Sequence, residues 1–413
     1  MRTRREINSA EWFGEVPDGW NMVPLPRLFM SSKGMTVTRA DLVDEGAPVV
    51  NYAQVHSKLN NRFGIHEELI KHVPTGMVPK GLKYSEKGSF IFACTSEDLA
   101  GCGDCIYNDS ERPVNPGGDT LLLSPVDEVE NKYLAYLFST DMWRWQIRRD
   151  LIDVKVFHVN QGNLHETYVT VPPCDVQRRI VSYLDERCAA IDDDVKKRQK
   201  VIERLKEYKK SLIAHAVTKG LDPTAEMKDS DIKWVDQIPS NWQTSKLKAL
   251  FQITKRIAGV EGLTVLSITQ DGIRPKDFST GKGQFAETYS HYQLVHPGDF
   301  AMNHMDLLTG WVDISRYEGV TSPDYRVFSA RDLAVSNPSY YLYLFQMCYL
   351  NRVFFGSANG VADKGRMRLQ TNAFNNFVVP LPPLEEQKRI AAYLDERCAA
   401  IDEAISRQEQ LIE

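Results

Sequence analysis

Two short stretches of the chain look at first like catalytic loops. Val171-Pro172-Pro173-Cys174 and Leu381-Pro382-Pro383-Leu384 share the paired prolines of an amino-methylating loop. That chemistry needs an Asn or Asp to accept from the target amino group and an aromatic ring to stack the extruded base. Val171 and Leu381 accept nothing, and Cys174 and Leu384 do not stack, so the loops have no such activity. "FGSANG" at 355–360 follows no convincing strand, and "TGKGQ" at 280–284 lacks the remaining glycine and hydroxyl of a phosphate loop. Cys94, Cys102 and Cys105 offer three thiols without a second paired set, which reads as structural thiols rather than zinc ligands. His158, His165, His291, His296 and His304 are scattered, with no carboxylate or nucleophile at motif spacing, so a structural or base-contacting role suits them better than a catalytic one. The residues point to a protein that performs no reaction of its own.

Side chains suited to binding nucleic acid are placed more suggestively. Arg144, Arg148 and Arg149 lie on a helix ending shortly before the first Pro-Pro, and Lys364, Arg366 and Arg368 occupy the corresponding place before the second. Such clusters serve either as solvated surface or as phosphate contacts, and the positional agreement favours the latter. Asn51, Gln54, Gln270, Arg274, Asn303 and His304 are polar loop residues of the kind that read base edges, although polar loop residues are common everywhere.

The elements that must position these residues are repeated. "YLDERCAAID" occurs at Tyr183–Asp192 and again at Tyr393–Asp402. It sits in a longer match that keeps Pro-Pro, then Gln177 or Gln387, then Arg-Ile. Upstream of each copy is a second pair, "WFGEVPDGWNMVPLPRLF" from Trp12 and "WVDQIPSNWQTSKLKALF" from Trp234. A tandem duplication explains two ordered pairs. After the first Pro-Pro, apolar positions step by 4 and 3 through Leu184, Cys188, Ile191, Val195, Ile202, Leu205 and Leu212, with Arg198 and Lys209 interrupting; the second copy runs Leu394, Cys398, Ile401, Ile405, Gln408, Ile412. That period predicts a coiled coil, the first helix reaching roughly 60 Å. Gly220 and Pro223 stop it.

Between the repeats the sequence diverges. "EKGSFIFACTSEDLAGCGDCIYN" and "HPGDFAMNHMDLLTGWVDISRY" place a glycine turn and a strand at similar distances before Pro-Pro, and "NKYLAYLFSTDMWRWQIRRDL" and "PSYYLYLFQMCYLNRVFFGSA" read as helices. The fold class expected is α/β: two mixed α/β domains joined by two long helices packed as a coiled coil, with an internal repeat. The domains fall at 1–170 (first recognition block), 171–220 (first helix), 221–380 (linker and second block) and 381–413 (second helix, a shortened copy). Of 413 residues, 42% are hydrophobic and 25% charged, which fits a soluble multidomain protein. Seven cysteines without framework spacing, no membrane-length apolar run and no secretory signal predict a cytoplasmic protein. A net charge of −5 neither announces nor excludes a nucleic-acid partner.

The repeats and their order resemble the DNA specificity (S) subunit of Type I restriction–modification systems, over nearly the whole chain. The resemblance is strong at 12–29, 171–203, 218–251 and 381–413, and weak between. It implies that each variable block reads one half of a gapped double-stranded DNA target. It further implies that the two helices form an antiparallel coiled coil within a pseudo-twofold internal repeat, that this coil fixes the gap and docks two methyltransferase (M) subunits, and that restriction/translocase (R) subunits join that core. S-adenosylmethionine would belong to the M subunits, and ATP with magnesium to the R subunits, leaving no cofactor here. The docking surface is expected on the repeat, including Gln177, Tyr183, Arg187, Gln387, Tyr393 and Arg397; helix-start packing is the competing role for these positions. An interaction scaffold that binds M subunits without reading DNA is the alternative function, and a fused enzyme is opposed by the missing motifs.

Overall fold

The computed structural model describes residues 16–149, 151, 156–278, 286–357 and 367–412. The chain divides into two compact units, one up to Asp192 and one from Asp193.

The first unit is built on an antiparallel sheet of β1 (Phe29–Lys33), β2 (Phe90–Ala93), β3 (Cys105–Tyr107) and β4 (Thr120–Pro125), in the spatial order β1-β4-β2-β3. Alternate side chains of a strand face opposite sides. Phe90, Phe92, Leu121 and Leu123 pack into one apolar cluster, whereas Ile91, Ala93 and Leu122 pack into another. Burial on both faces is why "FIFA" and "TLLL" are unbroken apolar runs. Helices α1 (Asn131–Phe138) and α2 (Asp141–Arg148) contribute to the first cluster, with the Phe138 and Trp143 rings 4.3 Å apart. The sequence reads as one helix here. The structure breaks it at Ser139–Thr140, where the Thr140 hydroxyl accepts from the Trp143 amide and restarts the helix.

Helix α3 (Cys174–Lys219) follows the first Pro-Pro and spans the boundary between the units. It ends at Gly220, whose φ of 78° is the left-handed cap glycine adopts without strain.

The second unit repeats the plan. β5 (Phe251–Ile253), β6 (Phe300–Met302), β7 (Val312–Ile314) and β8 (Arg326–Ala330) form an antiparallel sheet ordered β5-β8-β6-β7, the same order as the first. A single helix, α4 (Pro338–Leu350), replaces the α1–α2 pair; Asn337 caps it and Pro338 fills the first turn. Corresponding rings pack alike: Phe29 on Phe90 and Phe251 on Phe300, both edge-on at 5.6 Å. The flanking strands match too. Asn21–Pro24 pairs with Tyr168–Val171 before the first Pro-Pro, and Gln243–Lys246 with Val378–Leu381 before the second.

Helix α5 (Leu384–Gln410) packs within the second unit against the later part of α3. Ile202, Ile401 and Ile405 are buried together, with Leu205, Leu212 and Ile412 against them. The basic interruptions of the apolar seam reach across: Arg198 donates to Gln408 at 3.1 Å and Lys209 to Asp402 at 2.7 Å. Partners that descend along α5 as they rise along α3 make the two stretches antiparallel. Ile191, at an apolar position of the sequence pattern, is 62% exposed.

Candidate nucleic-acid interface

The arginines of α2 do not face outward as phosphate contacts would. Arg144 is 2% exposed and Arg148 is 9%. Arg144 pairs with Asp104 at 2.6 Å and donates to the Phe138 carbonyl; Arg148 donates to the Ala100 carbonyl and pairs with Asp141 at 2.9 Å. Burial demands such partners, since an unpaired buried guanidinium is costly. Their fork of donors instead fastens the loop around Ala100–Asp104. Asp104 also meets His56 and Arg62, each at 3.2 Å. Burial pushes the Asp104 carboxyl up, but the His56 hydrogen bond and the charges of Arg144 and Arg62 outweigh it and hold it below the usual range. Arg149 lies exposed at the end of α2.

Asn51 and Gln54 are likewise committed inward. The Asn51 side chain accepts from the Gly118 amide at 3.1 Å, and Gln54 Oε1 accepts from the Asn51 amide at 3.2 Å. They close a turn and are not displayed to a groove.

In the second block the structure brings several expected residues together. Gln270 and Arg274 are exposed on the hairpin Leu266–Thr269/Gly272–Pro275. Asn303, His304 and Arg368 converge at the end of β6: the Leu369 amide donates to the His304 carbonyl at 3.0 Å, and Arg368 lies 3.9 Å from Asp324. His304 is held neutral, its pKa depressed to about 3 by burial and then by the charges of Arg326 and Arg368. Lys364 and Arg366 lie outside the described residues, as do Trp12 and all of "TGKGQ".

The repeated positions divide into two kinds. Gln177 and Gln387 are 1% and 0% exposed, which removes them from any docking surface. Each binds the helix start of its own block. Gln177 accepts from the Glu130 amide and donates to the Pro172 carbonyl; Gln387 accepts from the Asn337 amide and donates to the Pro382 carbonyl. Tyr183 is 58% exposed with the Arg187 guanidinium 5.4 Å from its ring, and Arg397 stands 5.8 Å from the Tyr393 ring. These remain at the surface, Tyr393 half-buried.

A further repeated contact escaped the sequence reading. The Tyr136 hydroxyl donates to Asp185 at 2.7 Å, and the Tyr343 hydroxyl to Asp395 at 2.8 Å. Asp185 and Asp395 both belong to the duplicated phrase; the two tyrosines sit in similar "YLF" strings, and only that faint echo could have found them. Lys132 also pairs with Asp185 at 2.8 Å.

The sequence model of the Type I restriction modification DNA specificity domain matches residues 17–204 and 239–413. The chain belongs to this family. Among its relatives, a putative type I restriction enzyme specificity subunit of Methanocaldococcus jannaschii, MjaX, is 25% identical over 73% of this chain and 68% of its own length. The EcoBI specificity subunit of Escherichia coli is 22% identical, over 62% of this chain and 56% of its own. The StySPI specificity subunit of Salmonella potsdam is 19% identical, over 54% and 47%. The chain therefore spans about half the length of these two bacterial relatives. In fold it is similar to a chain from a structure describing complex assembly and conformational transition of the type I R-M system, with a TM-score of 0.67, 16% identity and 96% and 95% of the two chains covered. It is also similar to the HsdS subunit of Thermoanaerobacter tengcongensis, with a TM-score of 0.52, 16% identity and 98% and 97% covered. Each matched segment holds one four-stranded sheet, with the start of α3 in the first and all of α5 in the second. Among the described residues, no helix is long and apolar enough to cross a membrane and no group of three side chains is arranged to hold a metal ion.

Proposed function

We propose that this chain is the non-catalytic, sequence-reading subunit of a Type I restriction–modification complex. The first block reads one half of a bipartite gapped DNA target, and the second block reads the other. The helices of the repeat set the distance between them and dock two M subunits through outward positions such as Tyr183, Arg187, Tyr393 and Arg397, and the R subunits join that core. One observation carries the reading: two blocks with little common sequence share one sheet order and are each tied to a copy of the same helix by the same glutamine and tyrosine–aspartate bonds. A frame kept twice under divergent surfaces suits a protein that must present two different readers in equivalent settings.

Methylome sequencing of cells expressing this chain with its M subunit, against cells with M alone, tests the proposal. A gapped two-part motif appearing only with this chain is expected. A soluble complex with M that adds no motif would mean a scaffold that reads nothing. Exchanging residues 25–170 for the block of another family member should then alter one half of the motif alone.

A further inference from the structure

The repeated frame allows positions in the two blocks to be matched by hydrogen bonding where sequence gives no alignment. The Val159 amide donates to the Cys94 carbonyl at 2.7 Å, just as the Leu369 amide donates to that of His304. Cys94 thus corresponds to His304, and His158 to Arg368, each the residue before the donor. The strand registers extend the match. Phe92 pairs with Leu121 and Met302 with Arg326, so Asp119 and Asp324 occupy the same place, two residues before those partners.

In the first unit these positions rim a cavity of about 510 Å³, which Lys33 and Thr36 also line. Lys33, Thr36, Asp119 and His158 are all exposed there. Asp119 has a left-handed φ of 52°, a conformation that aspartate tolerates better than most non-glycine residues. The two glycines before it are closely packed. A Cβ on Gly118 would lie 2.5 Å from the Val37 carbonyl oxygen, and one on Gly117 would collide with the Asn51 side chain. The close packing of Gly117 and Gly118 holds the backbone that leads to Asp119, whose exposed side chain lines the rim. In the second unit the same place holds Asp324 beside Arg368, with the neutral His304 ring behind them, its Nδ1 buried without a hydrogen-bond partner.

We propose that these matched positions, Asp119 and His158 in the first block and Asp324 and Arg368 in the second, are the residues that read base edges in the two half-sites. The inference rests on the proposed role of the blocks as DNA readers. A carboxylate accepts from a base amino group, an arginine donates a bidentate pair to guanine, and a histidine donates singly. The aspartate is common to both blocks while its cationic neighbour differs, so the half-sites share one element and differ at the position read beside it. His158 has little structural employment, its ring lying 3.5 Å from the Thr95 hydroxyl.

The test is the methylome of cells expressing the M subunit with wild type, His158→Ala or Arg368→Ala, each purified as the complex alongside. His158→Ala should relax one position in one half of the motif, and Arg368→Ala one position in the other half, at a guanine. Methylation of sites with the wrong base there should rise roughly ten- to a hundredfold, the discrimination one good side-chain–base pair supplies. Should a variant lose the complex, His158→Gln and Arg368→Lys take its place, with the same expectation of a change confined to one half-site. An unaltered motif in both variants, or an equal loss of methylation over all sites, overturns the proposal, the latter because phosphate contacts weaken binding uniformly. Wild type giving no bipartite motif would instead overturn the underlying reading.

Discussion

The hydroxyl of Tyr136 donates to a carboxylate oxygen of Asp185 at 2.7 Å, joining a helix of the variable block to the duplicated phrase "YLDERCAAID". Tyr343 and Asp395 repeat the bond in the second unit. The phrase is thereby explained in part by what it holds: its aspartate grips whichever block precedes it, whatever that block reads.

A hydrogen bond to a charged acceptor contributes about 1.5–3 kcal/mol, less where solvent competes. Tyr343→Phe should therefore destabilise by about 1–2 kcal/mol, seen as a lower urea midpoint with an unchanged slope. Tyr136→Phe should cost less, because Lys132 keeps Asp185 paired. A double-mutant cycle with Asp395→Asn checks the assignment: near-additive losses would show that the two side chains do not act together.

Gln177 satisfies one amide and one carbonyl, and Gln387 one amide and two carbonyls, those of Val335 and Pro382. Truncation to alanine strands these groups, at about 1–3 kcal/mol for each group left without water. Gln177→Ala and Gln387→Ala should thus lower thermal stability by several degrees yet leave capture of the M subunit intact in a pull-down at low temperature. Loss of capture by a still-folded variant would return the glutamines to the docking surface.

The duplication, the long helices and their apolar seam were legible because they depend on local period: the steps through Leu394, Cys398 and Ile401 and the stop at Gly220 are written in adjacent residues, whereas the antiparallel direction of the pairing is written only in contacts such as Arg198–Gln408 and Lys209–Asp402. The sheet order was not. Which strand lies beside Phe90–Ala93 depends on contacts far apart in sequence, and "FIFA" buried on two faces lacks the alternation that would mark its register. Burial misled the site reading. Arg144, Arg148, Gln177 and Gln387 look like surface chemistry by residue type, and only tertiary packing shows that their donors are spent on carbonyls and on Asp104 or Asp141. Residue type allows His158 a structural or a base-contacting role, and only the matched backbone bonds of Val159 and Leu369 set it opposite Arg368 in the other block.

Arg144→Met should destabilise the first unit strongly, by about 3–5 kcal/mol, since it strips the shortest ion pair from the mostly buried Asp104. Once folded at low temperature, the variant should show the same salt dependence of DNA binding as wild type. A slope reduced by about one unit would instead mark Arg144 as a phosphate contact.

The same cluster makes stability depend on pH. The hydrogen bond that His56 donates to Asp104 raises the His56 pKa above its ordinary 6.5, and this wins over the opposing effect of partial burial. A raised folded pKa means that the native state holds the proton more tightly than the unfolded chain. The contribution is therefore complete below the unfolded value and disappears as pH climbs through the folded one, on the alkaline side of 6.5. Asp104 behaves oppositely: its depressed pKa gives stability that is present above the ordinary carboxylate value and lost in acid. Between these limits the His56–Asp104 pair, flanked by Arg62, Arg144 and Asp98, is fully charged. Urea midpoints measured from about pH 5.5 to 8.5 should fall across neutrality in the wild type. His56→Gln should lower the acidic end of that range and flatten the slope; an equally steep decline in the variant would assign the titration to another group.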